Sequence, residues 1–190
     1  ANLQFVMPEL VSDFSNRTGV ECEIIVSSSG KLTAQILEGA PFDLLLSADM
    51  KYPEELYNRS FTLFEPDIYA YGNLILWTLD EDIKPELESL LSDKVSYIAI
   101  GNPKTAPYGI SALEVIISSG MEERLNKKLI YGESIAQTNQ FILSKSVDLG
   151  FTSKSVVMSK QMKGQGQWAE IDKKLYSPMA QGMVVLKSRK

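Results

Sequence analysis

The sequence predicts an α/β fold built as two lobes, and three observations carry that prediction. Strand-like and helix-like stretches alternate over residues 21–49 and again over residues 95–153, the pattern of sheets connected by right-handed crossovers. Two extended apolar stretches broken by Gly or Pro, YAYGNLILW at 69–77 and YSPMAQGMVVL at 176–186, have the character of crossings between two sheets. The 190 residues are enough for one substantial domain or two small lobes, each with its own core. If the chain leaves one sheet at the first crossing and returns at the second, lobe I comprises residues 1–72 and 177–190 and lobe II residues 73–176.

Each element has a local justification. Leu3, Val6, Met7, Leu10, Val11 and Phe14 recur at spacings of three and four, one helical stripe ending before Thr18-Gly19. Pro8 removes a helical amide, so regular helix is expected from about Met7. ECEIIV at 21–26 alternates and predicts a strand, with Cys22 as a buried structural thiol. A helix over 31–38 carries Leu32 and Ile36 one turn apart and stops at Gly39, with Pro41 beyond. FDLLLSAD at 42–49 is a short continuous apolar run, the form of a parallel strand covered on both faces. After residue 90 the pattern predicts strands at 95–101, 129–131 and 147–152. It predicts a helix over 108–119, with Leu113, Ile116 and Ile117 on one face, and a helix opened by the capping box Ser134-Ile135-Ala136-Gln137 and running through Leu143. Ser153 is placed to start a further helix. There is no internal repeat, low-complexity tract or disordered linker.

Composition narrows the function. With 44% apolar and 23% charged residues the chain is an ordinary folded protein, and no apolar run approaches the roughly 18–20 residues that cross a bilayer. Membrane insertion is not expected. Net charge −5 and a pI near 4.9, without a basic cluster longer than KSRK at the C-terminus, argue against nucleic acid. An acidic balance does not exclude anionic ligands, because backbone amides at helix N-termini hold anions without a formal cation. The chain has no histidine. Ser-His-Asp and Cys-His machinery and the usual zinc sites are therefore excluded, and one cysteine forms neither an internal disulfide nor a metal cluster. No carboxylate pair has the spacing of glycosidase chemistry. The expectation is a binding protein with no catalytic residues, no cofactor and no protein-ligated metal. Because it begins at Ala1 without an initiator Met or a signal peptide, it is expected to have been processed or trimmed.

Ligands of open α/β sheets bind beyond the carboxyl ends of strands, where loops enter helix N-termini. Four such junctions are rich in small or polar residues: Ala1-Asn2, residues 27–30, residues 105–109 and residues 133–135. SSSGK at 27–31 invites comparison with a nucleotide P-loop, but that pattern needs Gly at 25 and Ser or Thr at 32, where Ile25 and Leu32 stand. ATP and GTP are excluded on that ground. Ser29 is expected to cap the helix and to present its hydroxyl to an anion at the same end, leaving Lys31 facing solvent. Asn2 can cap or bind, Tyr108 can pack or bind, and apolar Ile135 offers only its backbone amide.

In order along the chain, ANLQF, SSSGKLTAQILEGAPFDLLLSAD, YAYGNLILW, IAIGNPKTAPYGISALEVI, GESIAQ and DLGFTSKS together cover nearly all of it. In this combination the sequence resembles the periplasmic molybdate-binding proteins of ABC transporters, a branch of the two-lobed solute-binding family. The resemblance implies a type II periplasmic-binding-protein architecture: two doubly wound α/β lobes joined by two crossing strands, closing by a hinge on a tetrahedral oxyanion in the interlobe cleft. It implies ligand donors at Asn2 and Ser29 from lobe I and at Tyr108 and the Ile135 amide from lobe II, with Ala1 and Ser153 as additional candidates. Some members place a tyrosine where Ser153 stands, and here Tyr108 would supply the hydroxyl instead. It also implies a monomer, molybdate or tungstate as ligand, an ABC permease as partner, and a periplasmic or otherwise extracytoplasmic location. The family carries a strand before the loop matching Ala1-Asn2 and a helical segment beyond the last apolar strand, and neither is found in this sequence. A second reading is an oxyanion-sensing effector domain of a transcription regulator. A third, an enzyme on a phosphorylated metabolite, lacks a general base near these loops.

Overall fold

The structure, a computed structural model, describes residues 2–187. The first helix, α1 (Met7–Thr18), has Pro8 in its first turn and ends at Gly19, whose left-handed φ of 72° closes it. Its apolar stripe is uncovered: no residue of α1 is buried, and Leu10 and Phe14 are exposed. Residues 21–26 form no strand, which corrects the expectation drawn from their alternation. Ile25 and Val26 are exposed, and so is Cys22, which is therefore not a core thiol. Alternation supplies β-propensity, but a strand also needs a neighbour to take its ladder hydrogen bonds. None of the described residues pairs with this stretch in a sheet.

The chain then continues through α2 (Ser29–Leu37), β1 (Leu44–Leu46), α3 (Lys51–Asn58) and β2 (Asp67–Gly72). After Asn73 come β3 (Leu74–Thr78), a 3-10 turn, β4 (Ile98–Gly101), α4 (Pro107–Ser118), α5 (Glu122–Leu125), β5 (Leu129–Gly132), α6 (Ile135–Leu143), β6 (Leu149–Ser153), α7 (Lys154–Val157), β7 (Gln167–Glu170) and β8 (Met179–Val185). They build two sheets, one of order β1-β8-β2 and one of order β5-β4-β6-β3-β7.

In the smaller sheet β1 runs antiparallel to β8, with Leu45 opposite Val184. The apolar run at 42–49 was expected to be a parallel strand covered on both faces. Instead Leu45 is 2% exposed and Leu44 50%, because β1 pairs with β8 alone and leaves one edge and one side open. Leu32 and Ile36 of α2, Leu56 of α3, Leu45, Val184 and Leu186 form the core under this sheet.

The larger sheet has the doubly covered character that the resemblance implies. Strands β3, β4 and β6 are buried at every position, as continuous apolar runs require. Successive residues serve opposite faces: Leu74, Leu76, Ile98 and Ile100 pack with Ala112, Val115 and Ile116 of α4, while Ile75, Trp77 and Ala99 pack with Ile142 of α6. Strands β4, β5 and β6 are parallel, and β3 joins β6 and β7 antiparallel. The break between the sheets is one residue, Asn73, between β2 and β3; the return is through residues 176–179, where the Tyr176 hydroxyl accepts the Leu74 amide at 3.2 Å.

One close approach aims a loop. A Cβ at Gly109, in the first turn of α4, would lie 2.1 Å from the carbonyl oxygen of Gly101 at the end of β4. Helix and strand meet too tightly there for any side chain, and this seats the neighbouring Tyr108 beside the strand end. Gly109→Ala is expected to cost about 1–3 kcal/mol through overpacking, against the roughly 1 kcal/mol that Ala otherwise gains over Gly in a helix. Urea unfolding measures it, and an unchanged or raised midpoint would contradict this packing.

Candidate functional site

The N-terminus of α2 assigns different work to adjacent serines. Ser28, extended at φ −70° and ψ 151°, is the cap, its Oγ accepting from the Lys31 amide at 3.4 Å. The expectation that Ser29 caps the helix is thus corrected by one position. Ser29 is the first helical residue, 6% exposed, and its Oγ accepts from the Ala48 amide at 3.0 Å in the loop after β1. With its oxygen receiving one proton, its own proton is left for another acceptor. The next residue, Gly30, donates its amide to the Thr105 carbonyl at 3.1 Å, and Lys31 pairs with Glu133 and does not simply face solvent. These two contacts join the α2 end to the loops before α4 and α6.

From the other side, Tyr108 is the second residue of α4 and 2% exposed. Its Oη accepts from Gln181 Nε2 of β8 at 2.9 Å. Gln181 Oε1 in turn accepts from Asn2 Nδ2 at 3.2 Å, and the Asn2 carbonyl accepts from Ser155 Oγ at 2.8 Å. Ser153, fully buried at the end of β6, has its Oγ 2.8 Å from Ser155 Oγ. Ile135 opens α6 behind the cap Ser134, whose Oγ accepts from the Gln137 amide while Gln137 Oε1 accepts from the Glu133 amide. Its side chain enters the larger core, so its amide is the part that can serve a ligand.

Asn2, Tyr108 and Ser153 therefore belong to one bonded cluster. Ser29 and Ile135 open the two helices whose ends are joined by the Lys31–Glu133 pair. Ala1 lies outside the described residues. Two members escaped the sequence reading, Gln181 and Ser155; the Tyr69 hydroxyl donates to the Ser47 carbonyl at 3.0 Å in the loop after β1. Gln181 carried a signal, since it is the one amide in the apolar crossing strand and shares the inward parity of Met179.

Burial is the main influence on the phenols. It raises Tyr69 to about 12 and Tyr108 further still, so both remain neutral hydrogen-bond donors at physiological pH. Asp49 is also raised, chiefly by burial, while its carboxylate accepts from Ser47 Oγ and the Tyr52 amide. Among the described residues no group of three or more His, Cys, Asp and Glu can hold a metal ion. The cluster offers hydroxyls and amides, which suits an anion. A separate cavity of about 290 Å³ lies at the opposite end of β3 and β6, where Asp80, Glu81 and Asp148 outnumber Lys145, and it does not suit one.

The two serines separate by mutation. Ser28→Ala is expected to cost about 1 kcal/mol as a lost cap. Ser29→Ala, which strands the buried Ala48 amide, is expected to cost about 1–3 kcal/mol. A urea series showing Ser29→Ala to be neutral would contradict the Ser29–Ala48 bond.

Comparison with known proteins follows the same line. The family model described as bacterial extracellular solute-binding protein matches residues 1–190. The molybdate-binding protein ModA of Rhodobacter capsulatus is 33% identical over 189 residues, covering 99% of this chain and 74% of that protein. ModA of Azotobacter vinelandii is 33% identical over 188 residues, covering 98% and 75%. Among solved structures, the Azotobacter vinelandii periplasmic molybdate-binding protein has a TM-score of 0.93 at 31% identity, over 98% of this chain and 83% of that one. The sulfate-binding protein SubI of Mycobacterium tuberculosis, 11% identical with a TM-score of 0.78 over 100% of this chain and 74% of that one, shares the fold.

Proposed function

The chain belongs to the bacterial extracellular solute-binding family, and from that premise we propose that it captures molybdate or tungstate outside the cytoplasm and delivers it to the permease of an ABC transporter. The observation that carries the choice of ligand is the state of the two hydroxyls. Ser29 and Tyr108 each have their oxygen occupied by an N–H donor, Ala48 for one and Gln181 for the other, and so each has its proton to give. With helix N-termini at Ser29 and Ile135, the site is rich in donors and favours an oxyanion that bears no proton.

Molybdate and tungstate are dianions without a proton at pH 7. Phosphate carries one, and burying that proton without an acceptor costs about 1–3 kcal/mol, a factor of roughly ten to a hundred. Sulfate matches in charge and shape and is smaller, so only cavity size can reject it. Hydrogen bonds to a charged group contribute about 1.5–3 kcal/mol each; after dehydration and association costs, net binding of about −8 to −12 kcal/mol is expected.

Donors stand on both sheets, so an anion is fully satisfied only when the two sides meet, and ligand favours closure by that difference. Gly30–Thr105 and Lys31–Glu133 are contacts that closure would make and opening would break. No catalysis is assigned, and the relatives' names favour a transport receptor over the effector domain of a regulator.

Calorimetry with molybdate, tungstate, sulfate and phosphate tests the proposal. Micromolar to nanomolar affinity for the first two, and affinity weaker by about ten- to a hundredfold for phosphate, is expected. Because the phenols titrate well above neutrality, molybdate affinity should stay constant from pH 7 to 9 and fall only as pH rises toward phenol ionisation, which removes the donor. No heat with molybdate, or a phosphate affinity equal to it, overturns the assignment.

A further inference from the structure

The Tyr108 hydroxyl is reached by a short chain of hydrogen bonds. Asn2 Nδ2 donates to Gln181 Oε1 at 3.2 Å. With its oxygen accepting, Gln181 presents Nε2 to Tyr108. Asn2 is 5% exposed, Gln181 3% and Tyr108 2%, so bulk water does not compete.

A second chain begins at the Asn2 carbonyl, which takes the Ser155 proton. Ser155 must therefore accept from Ser153 at 2.8 Å, and the Ser153 proton is spent there. The Tyr108 proton is left for an acceptor in the cleft. The side of its oxygen facing β8 is occupied.

We propose that Gln181 fixes Tyr108 as a donor toward a deprotonated oxyanion and thereby sets selectivity against oxyanions that still carry a proton. The inference rests on the oxyanion-receptor reading given above. Hydrogen phosphate must donate one hydrogen bond, and the Tyr108 oxygen is an acceptor it could use if the Gln181 N–H were not already there. A residue at 181 without that N–H frees the phenol to turn and accept. Gln181 acts through Tyr108, so it is a positioning residue, and its effect must vanish when the hydroxyl is gone.

Affinities for molybdate and inorganic phosphate are measured in wild type, Gln181→Met, Tyr108→Phe and the double variant, with thermal melts as the check of folding. Gln181→Met is expected to narrow the molybdate-to-phosphate ratio at least about tenfold, and to change molybdate affinity less than about twofold once Tyr108 is Phe. An unchanged ratio, or losses that multiply in the double variant, overturns the proposal. If Gln181→Met does not fold, Gln181→Glu keeps the shape and replaces the N–H with an acceptor. It is expected to lose at least about tenfold in molybdate affinity at pH 7, and affinity within twofold of wild type overturns the proposal. If wild type itself binds no molybdate, the receptor reading fails, and the relay is judged without ligand by NMR. The Gln181 side-chain NH2 should be protected from solvent exchange in wild type and lose that protection in Tyr108→Phe; unprotected exchange in wild type overturns it.

Discussion

A buried hydroxyl has one proton to give, and once its oxygen is already accepting from an N–H its role toward a ligand is decided. The candidate site depends on this constraint twice. The Ala48 amide settles Ser29 and the Gln181 amide settles Tyr108, on opposite sides of the meeting point between two sheets. Both hydroxyls are buried, and an unmade bond at either position would carry a full desolvation cost. Donor character is thus a property of the folded chain, held before any ligand arrives.

The rest of the structure supplies the rigidity this needs. Tyr108 stands on a helix pressed against β4 at the Gly101–Gly109 contact, and Ser153 stands at the end of a strand buried at every position. Ser29 and Ala48 flank β1, packed over the smaller core. Gln181 sits on β8, a strand of the smaller sheet that reaches the hydroxyl of a helix covering the larger one, so it ties the two. The larger sheet is covered on both faces while the smaller leaves β1 with an open edge and α1 with no buried residue. Stability is therefore concentrated in the part that carries Tyr108, Ile135 and Ser153.

Much of this was legible from residue patterns. The extended crossing at 69–77 and the strands read at 95–101 and 147–152 marked β3, β4 and β6, and the Ser134–Gln137 box marked the start of α6 at the right residue, because these signals are local and the core agrees with them. The failures are equally physical. Residues 21–26 alternate as a strand should, yet a strand is a pairwise object and its partner is not written in its own residues. The same holds for Cys22, whose burial depended on that strand. The cap at Ser28 instead of Ser29 is a shift of one within a run of three serines, where propensity cannot choose and the Ala48 amide does. Asn2, Ser29, Tyr108, Ile135 and Ser153 were singled out by loop chemistry and by resemblance. Gln181 was not, because its importance lies in which way a proton points, and that follows only from its bonds to Asn2 and Tyr108, both distant in sequence.

The central claim is that hydroxyls from the two sides converge on one deprotonated tetrahedral anion. It is tested most directly by a crystal of this chain grown with molybdate, with the metal located by its anomalous scattering. The account predicts the anion between α2 and α4, with its oxygens at hydrogen-bonding distance, about 2.5–3.0 Å, from Ser29 Oγ and Tyr108 Oη. An anion bound elsewhere, or one at that place touching neither hydroxyl, would contradict it.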